Sequence, residues 1–261
     1  MNTAVEQAIR FMSESYEEPL SLADIADKAI MSRFHFCRLF KQHTGITPGR
    51  FLSAVRIYQA KRMLLTTSLN ITEIAFAVGY NSLGSFSNHF ADSVGVSPGR
   101  FRRIGRGGDF QPGERSAPPS AADGSVSGQI TFPDGYAGAR VYVGAFDSPI
   151  VQRRPARAAL LDLAEIDRPA AYRLERVPAG TWFIRAVAVA DTVDPEPWTQ
   201  TTLLVGGCEP VRVAAGDELS VNFSVRPKLA TDLPILLALP DLETRLDGLA
   251  PDERIPVTVG G

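Results

Sequence analysis

Cysteine is nearly absent from this sequence, with Cys37 and Cys208 the only two in 261 residues. A pair so far apart excludes the dense disulfide framework of a small secreted domain and favours a reducing compartment. Long apolar runs are missing as well. No segment reaches the roughly 18 residues of a membrane span, and the opening MNTAVEQAIRF lacks the basic-then-apolar pattern of a signal peptide. The expected setting is therefore the cytoplasm, with no membrane partner. Histidine is the third scarcity: His35, His43 and His89 are all there is, and residues 106–261 contain none. That removes histidine-based hydrolysis and the commonest metal ligand from the C-terminal half. Cys208 has no histidine to activate it and reads as a packed thiol, and the GRGGD run at 105–109 is not followed by a helix pattern, so it is no phosphate loop. No cofactor or metal is expected, and the chain is expected not to be an enzyme.

What is present is ordinary globular composition, 44% hydrophobic and 21% charged. The charge is unevenly divided. Residues 1–105 carry 12 basic against 8 acidic side chains, and residues 106–261 carry 15 against 21. The first part suits a polyanion. Between them, 105–124 is rich in Gly, Pro, Ser and Ala, without apolar periodicity, and reads as a flexible linker. The expected organisation is multidomain: a helical domain over 1–104, an all-β antiparallel sandwich over 125–226, and a C-terminal tail, 227–261, packing on the sandwich or on a partner.

The first domain is a duplicated unit. GITPGRF at 45–51 returns as GVSPGRF at 95–101, and at the same offset Ser32, Phe36 and Phe40 face Ser82, Phe86 and Phe90. Ile25-Ala26 matches Ile74-Ala75 one residue out of step, so the second turn is longer by one. Each copy predicts a helix, a short turn, a second helix and a proline-started third. Ser21 caps the first helix with Asp24 in a near capping box, Asn70 or Thr72 opens its counterpart, and Thr47-Pro48 and Ser97-Pro98 are cap-plus-first-position pairs. This is the outline of a helix-turn-helix, shared with generic helical hairpins.

Helical phase sharpens the outline. After Ser32, the residues Phe36, Leu39 and Phe40 fall on one face, while Phe34, Arg38 and Lys41 project opposite, with Cys37 and Gln42 at the edges. An arginine on such a front can donate two hydrogen bonds to guanine, and an exposed Phe34 can pack on a thymine methyl. In the second copy the front is Gly84, Ser87, Asn88 and Ala91, small and polar. The stretch from Pro48 to about Thr67 predicts a spacer helix of about 30 Å, close to the ~34 Å between successive major-groove faces. Arg50, Arg56, Lys61 and Arg62 on it, and Arg100, Arg102 and Arg103 beyond the second unit, are candidate phosphate contacts, together with Ser32, Arg33, Lys41 and Ser82. His43 and His89 fall near inward faces, and His35 lies at a flank.

These residues carry a resemblance. LSLADIADKAIMSRFHFCRLFKQHTGITPGRF, RIYQAKRMLLTT and ITEIAFAVGYNSLGSFSNHFADSVGVSPGRFRR together resemble the two-helix-turn-helix DNA-binding domain of the AraC/XylS family of bacterial transcriptional regulators. The resemblance implies that Phe34, Cys37, Arg38, Leu83, Gly84, Ser87 and Asn88 occupy base-reading positions on double-stranded DNA, and that the transcription machinery is a partner. Three departures stand out, one being Leu83 and Gly84 in place of residues that are commonly polar. The second recognition helix has Asn88 and Ala91 where relatives often carry Arg or Lys, and the DNA-binding domain precedes the other domain.

From Ser125 onward the pattern has period two. SVSGQITF, ARVYVGAF, AAYRLERV, TWFIRAVAVA, EPVRVA and LSVNFSV read as strands separated by PDG, PAG and AGD turns. The run resembles a transthyretin-like or carboxypeptidase-regulatory-like β-sandwich. Three roles stay open for it: binding a small-molecule effector, with Tyr142, Tyr172, Trp182 and Trp198 as candidate lining, making a homodimer contact, or bracing the helical half. The expected function is sequence-specific transcriptional regulation. The competing reading is a non-catalytic interaction module that has lost operator recognition.

Overall fold

The computed structural model describes residues 3–106, 123–166, 169–193 and 201–239. The helical part comprises α1 (Thr3–Glu14), α2 (Leu22–Lys28), α3 (Arg33–Thr44), α4 (Pro48–Thr66), α5 (Ile71–Ala77), α6 (Leu83–Val94) and α7 (Pro98–Gly105). Local chemistry sets the boundaries. Ser21 with Asp24, and Asn70 with Glu73, form reciprocal capping boxes on α2 and α5. Ser32, Thr47, Ser82 and Ser97 each accept from the backbone N–H three residues on, and Gly45 (φ 76°) and Gly95 (φ 89°) end α3 and α6 in the left-handed conformation. Helix α1 was not among the expected elements, although Val5, Ala8, Ile9 and Met12 trace a buried stripe at helical spacing.

The duplication persists in three dimensions. Phe36, Phe40 and Phe51 stack in sequence with ring centroids 5.6 Å and 5.6 Å apart, and Phe86, Phe90 and Phe101 repeat this at 5.6 Å and 5.7 Å. All six rings are buried, so each unit hangs on one aromatic ladder shared with the helix that follows it. The turns match too. Met31 N–H donates to Ala26 O at 3.1 Å and Tyr80 N–H to Ala75 O at 3.0 Å, which makes Asn81 the extra residue of the second unit. At the left-handed turn position the second copy has Gly79 (φ 81°), whereas the first has Ile30 (φ 54°). A β-branched residue is strained in that conformation.

The C-terminal region is β-rich: β1 (Gly124–Thr131), β2 (Tyr136–Phe146), β3 (Arg157–Leu163), β4 (Ala170–Val177), β5 (Gly180–Thr192), β6 (Thr201–Gly207), β7 (Val211–Val213), β8 (Glu218–Ser220) and β9 (Phe223–Pro227). The expected sandwich needs correction. The strands form one hydrogen-bonded path, β3-β2-β5-β6-β9-β1-β4, with β7 on β5 and β8 on β1, and β3 packs beside β4, so the sheet rolls into a nearly closed barrel. Nor is it wholly antiparallel, since β1 pairs β8 and β9 in parallel. The expected strand LSVNFSV is split at Val221-Asn222. There Asn222 Oδ1 accepts from Gln129 N at 2.8 Å and Val221 O accepts from the Tyr172 hydroxyl at 2.8 Å, while Val221 N–H still donates to Ser127 O at 2.8 Å, so side chains take over part of the pairing along β1.

The two parts share a seam. Loop 147–155, between β2 and β3, and segment 233–239 lie against the helical part. Along that segment the side chains alternate: Leu236 and Ala238 join the helical core with Ile150, while Leu237 and Leu239 join Tyr142, Phe146, Val151, Val187 and Val189 on the β side. Backbone bonds fasten it, Ala238 N–H to Val94 O at 3.1 Å and Arg153 N–H to Ser93 O at 2.6 Å. The tail's described part is thus wedged between the two halves rather than lying on the sheet alone. The rest of the tail, most of the 105–124 linker and Trp198 lie outside the described residues.

Candidate nucleic-acid interface

Helices α3 and α6 each turn one face to their aromatic ladder and leave the other in solvent. On α3 the exposed front consists of Arg33, Phe34, His35, Arg38 and Lys41, with Cys37 half-buried at its edge. Phe34 keeps 81% of its surface exposed. Arg38 Nη2 lies 3.5 Å from His35 Nδ1, so the guanidinium rests along the helix surface. No acidic side chain occurs on this helix. On α6, Leu83, Gly84 and Asn88 are exposed and Ser87 is half-buried. A Cβ added at Gly84 would meet nothing within 4 Å, so this turn presents bare backbone to the outside. Ser32 and Ser82 are exposed, and their hydroxyls cap α3 and α6 by accepting from His35 N at 3.4 Å and Ser85 N at 3.2 Å.

Between the two units runs α4, whose 19 residues give about 28 Å at ~1.5 Å rise. The β half meets this frame at the C-terminal ends of α3 and α6. Pro149 would lie 3.2 Å from a Cβ at Gly45, and Arg154 3.7 Å from one at Gly95. Contact is thus made at the C-caps of α3 and α6, at the opposite ends from Phe34 and Leu83.

The expected phosphate contacts separate into two sets. Arg33, Lys41, Arg100 and Arg103 are exposed. Arg56 is different: its Nε donates to Tyr16 O and its Nη2 to Glu18 O, both at 2.7 Å, and burial pulls its pKa below the usual guanidinium range. Arg102 likewise donates Nε to Leu64 O at 3.2 Å and Nη2 to Leu69 O at 2.5 Å. Both hold chain turns to the helical core. Arg50 is exposed but gives Nη2 to Ser148 Oγ at 3.0 Å across the seam, and Arg62 is half-buried near Tyr16. Lys61 departs furthest from expectation. It is 4% exposed, its Nζ donating to Leu237 O at 3.0 Å and Ile235 O at 3.3 Å over the Phe101 ring.

The histidines also divide. His43 is exposed, not inward, because it sits in the last turn of α3 past the aromatic ladder. His89 is half-buried, with Nδ1 2.6 Å from the Tyr80 hydroxyl. Burial, with Arg153 adding and Asp92 opposing, holds His89 below the usual imidazole range, and burial pushes Tyr80 up to about 12. On the β side three of the candidate effector aromatics are engaged within the fold. Tyr142 and Tyr172 are buried, the latter bonded to Val221 O, and Trp182 Nε1 donates to Pro178 O at 2.7 Å. Cys208 is half-buried and burial raises its thiol pKa, the opposite of an activated nucleophile. No helix among the described residues is long and apolar enough to cross a membrane.

Residues 25–104 match the family model described as a helix-turn-helix domain. The lactose operon transcription activator of Staphylococcus xylosus is 29% identical over 102 residues, 39% of this chain and 37% of that protein. The HTH-type transcriptional regulator ArgR of Pseudomonas aeruginosa is 34% identical over 114 residues, 42% of this chain and 35% of that protein. Among solved structures, the DNA-binding domain of the global transcriptional factor AdpA in complex with a target DNA has 30% sequence identity and a TM-score of 0.38, covering 40% of this chain and 93% of that one. An AraC-type regulator from Chromobacterium violaceum has 33% identity and a TM-score of 0.38, over 39% and 90%. This chain spans about a third of the length of the curated relatives it matches.

Proposed function

We propose that this chain is a sequence-specific transcriptional regulator of the AraC type, reading two adjacent major-groove segments of double-stranded DNA, because residues 25–104 match a helix-turn-helix model and the matching relatives include HTH-type regulators. The observation that carries the reading is the duplicated frame with both recognition fronts exposed while the β half docks at the helices' C-terminal ends. Arg38 is the one arginine among the front's base-reading candidates and reads a guanine edge. Phe34 packs on a thymine methyl or a sugar, and Cys37 borders the contact. On α6, Leu83, Gly84, Ser87 and Asn88 read more weakly, with the bare backbone at Gly84 allowing close approach. Arg33, Lys41, Arg100 and Arg103, with the capping Ser32 and Ser82, hold phosphates. Arg56 and Arg102 drop out of that set because their guanidiniums are engaged within the fold. The β half is the regulatory part, acting through the seam.

Selection of the full chain against random duplexes tests this, because a regulator enriches one motif and an interaction module enriches none. On the enriched duplex, Arg38→Ala costs about 1–3 kcal/mol and relaxes preference at one position, while Arg103→Ala weakens all duplexes alike and makes log K about one unit less steep in log salt. Equal loss on every sequence would make Arg38 a backbone contact.

A further inference from the structure

A cavity of about 430 Å³ opens at the seam, within the range of small-molecule sites. Its walls come from four places: Arg50 and Ala54 on α4, His89 and Ser93 on α6, Asp147, Gln152 and Arg153 on the β2–β3 loop, and Leu236 on the segment wedged in the seam. The lining is polar where a seam built from Leu236, Ala238 and Ile150 would close most tightly by staying apolar. Two guanidiniums face it against a single carboxylate, so its charge balance favours an anion, and His89, held below the usual imidazole range, adds a neutral hydrogen-bonding ring. Ser93 and Gln152 are buried, at 4% and 7% exposure, and bring neutral hydrogen-bonding groups into the wall. Tyr80 occupies Nδ1 of His89, which leaves Nε2 as the ring nitrogen for a ligand.

The backbone is arranged for this. Arg153 is held at φ 59°, a conformation costly for a residue with a Cβ, and its N–H is committed to Ser93 O. The second repeat is altered at the same place. Where the first unit has Met31 and Leu39, both partly buried in the core, the second has Tyr80 and His89. The polar pair thus occurs only in the copy whose recognition helix borders the cavity.

We propose that this cavity is a binding site for a small carboxylate- or phosphate-bearing metabolite, gripped by Arg50 and His89 from the helical half and Arg153 from the β half. Guanidinium forks suit planar and tetrahedral oxyanions alike. Such a ligand touches both halves and binds only when they are docked, so it stabilises the docked arrangement increasingly as its concentration rises above Kd. Binding itself does not depend on the DNA reading; only its regulatory consequence does.

Calorimetry on the full chain without DNA tests the site, with inorganic phosphate and succinate as probes. Saturable binding of at least one is expected, weakened at least tenfold in Arg153→Gln and in Arg50→Gln, and unchanged in Arg212→Gln on β7, away from the cavity. Phosphate alone assigns a phosphorylated ligand and succinate alone a carboxylate. Circular dichroism melting checks that the variants fold, and two separate arginine variants guard against one failing to. Absence of saturable binding of either probe, or wild-type affinity in both folded arginine variants, would overturn the proposal while leaving operator selection untouched.

Discussion

Replacing Lys61 by methionine tests how the two halves are joined. The buried ammonium donates to Leu237 O at 3.0 Å and Ile235 O at 3.3 Å, the carbonyls of the segment wedged in the seam. Hydrogen bonds to a charged group each contribute about 1.5–3 kcal/mol, and the substitution abandons two. It also removes the cost of burying the charge, which offsets part of that loss. Methionine preserves volume, so cavity formation adds little. The net expectation is about 3 kcal/mol against docking, or a roughly hundredfold increase in local opening. The reporter is the Ala238 amide, which donates to Val94 O across the seam. Hydrogen exchange at Ala238 should accelerate by about two decades in Lys61→Met, while an amide within the α6 core, such as Phe90, keeps its rate. Unchanged exchange at Ala238 would refute the reasoning and make Lys61 a passenger in the seam.

Three further outcomes follow from single residues. Ile30 is 92% exposed at φ 54°, so Ile30→Gly gives up no packing and relieves left-handed strain of about 1–2 kcal/mol against a glycine entropy cost of ~0.5–1 kcal/mol; the melting temperature should rise slightly, and a fall of several degrees would contradict this. His89 titrates below its unfolded value of about 6.5, so the unfolded chain takes up the proton first; stability is full above that pH and declines as acidification passes into His89's depressed range. His89→Gln should flatten the stability profile below about pH 6.5, and parallel profiles for variant and wild type would count against it. Arg103→Ala and Arg38→Ala should separate salt dependence from sequence preference, and identical phenotypes would collapse that distinction.

The helical half could be read from the sequence because its signals are local. Caps, proline starts, the left-handed Gly45 and Gly95 and the Phe spacing each act over a few residues, and they agree across two copies. The β half was half readable. All six expected strands exist, although one is split, but β3 and β6 were missed. RAALLDL carries the Ala and Leu of a helix, and TTLLVGG ends on two glycines. Barrel closure and the parallel β1 pairings depend on contacts distant in sequence, which alternation does not encode. Among the expected phosphate contacts, Arg56, Lys61 and Arg102 turn into the fold rather than toward water. Apolar residues occur on every side of helix α4, with Phe51, Leu52, Val55, Ile57 and Leu64 all buried. That pattern marks a helix with neighbours on most of its sides, and it is the signal in the sequence for Lys61 and Arg56 turning into the fold. The seam cavity has no sequence signature, since its walls are assembled from residues about 100 positions apart.

Hydroxyl-radical footprinting of the full chain on its selected duplex addresses the central claim. Two recognition helices on one frame predict two protected windows on the same face of the DNA, about one helical turn apart. A single window, or two windows on opposite faces, would contradict it.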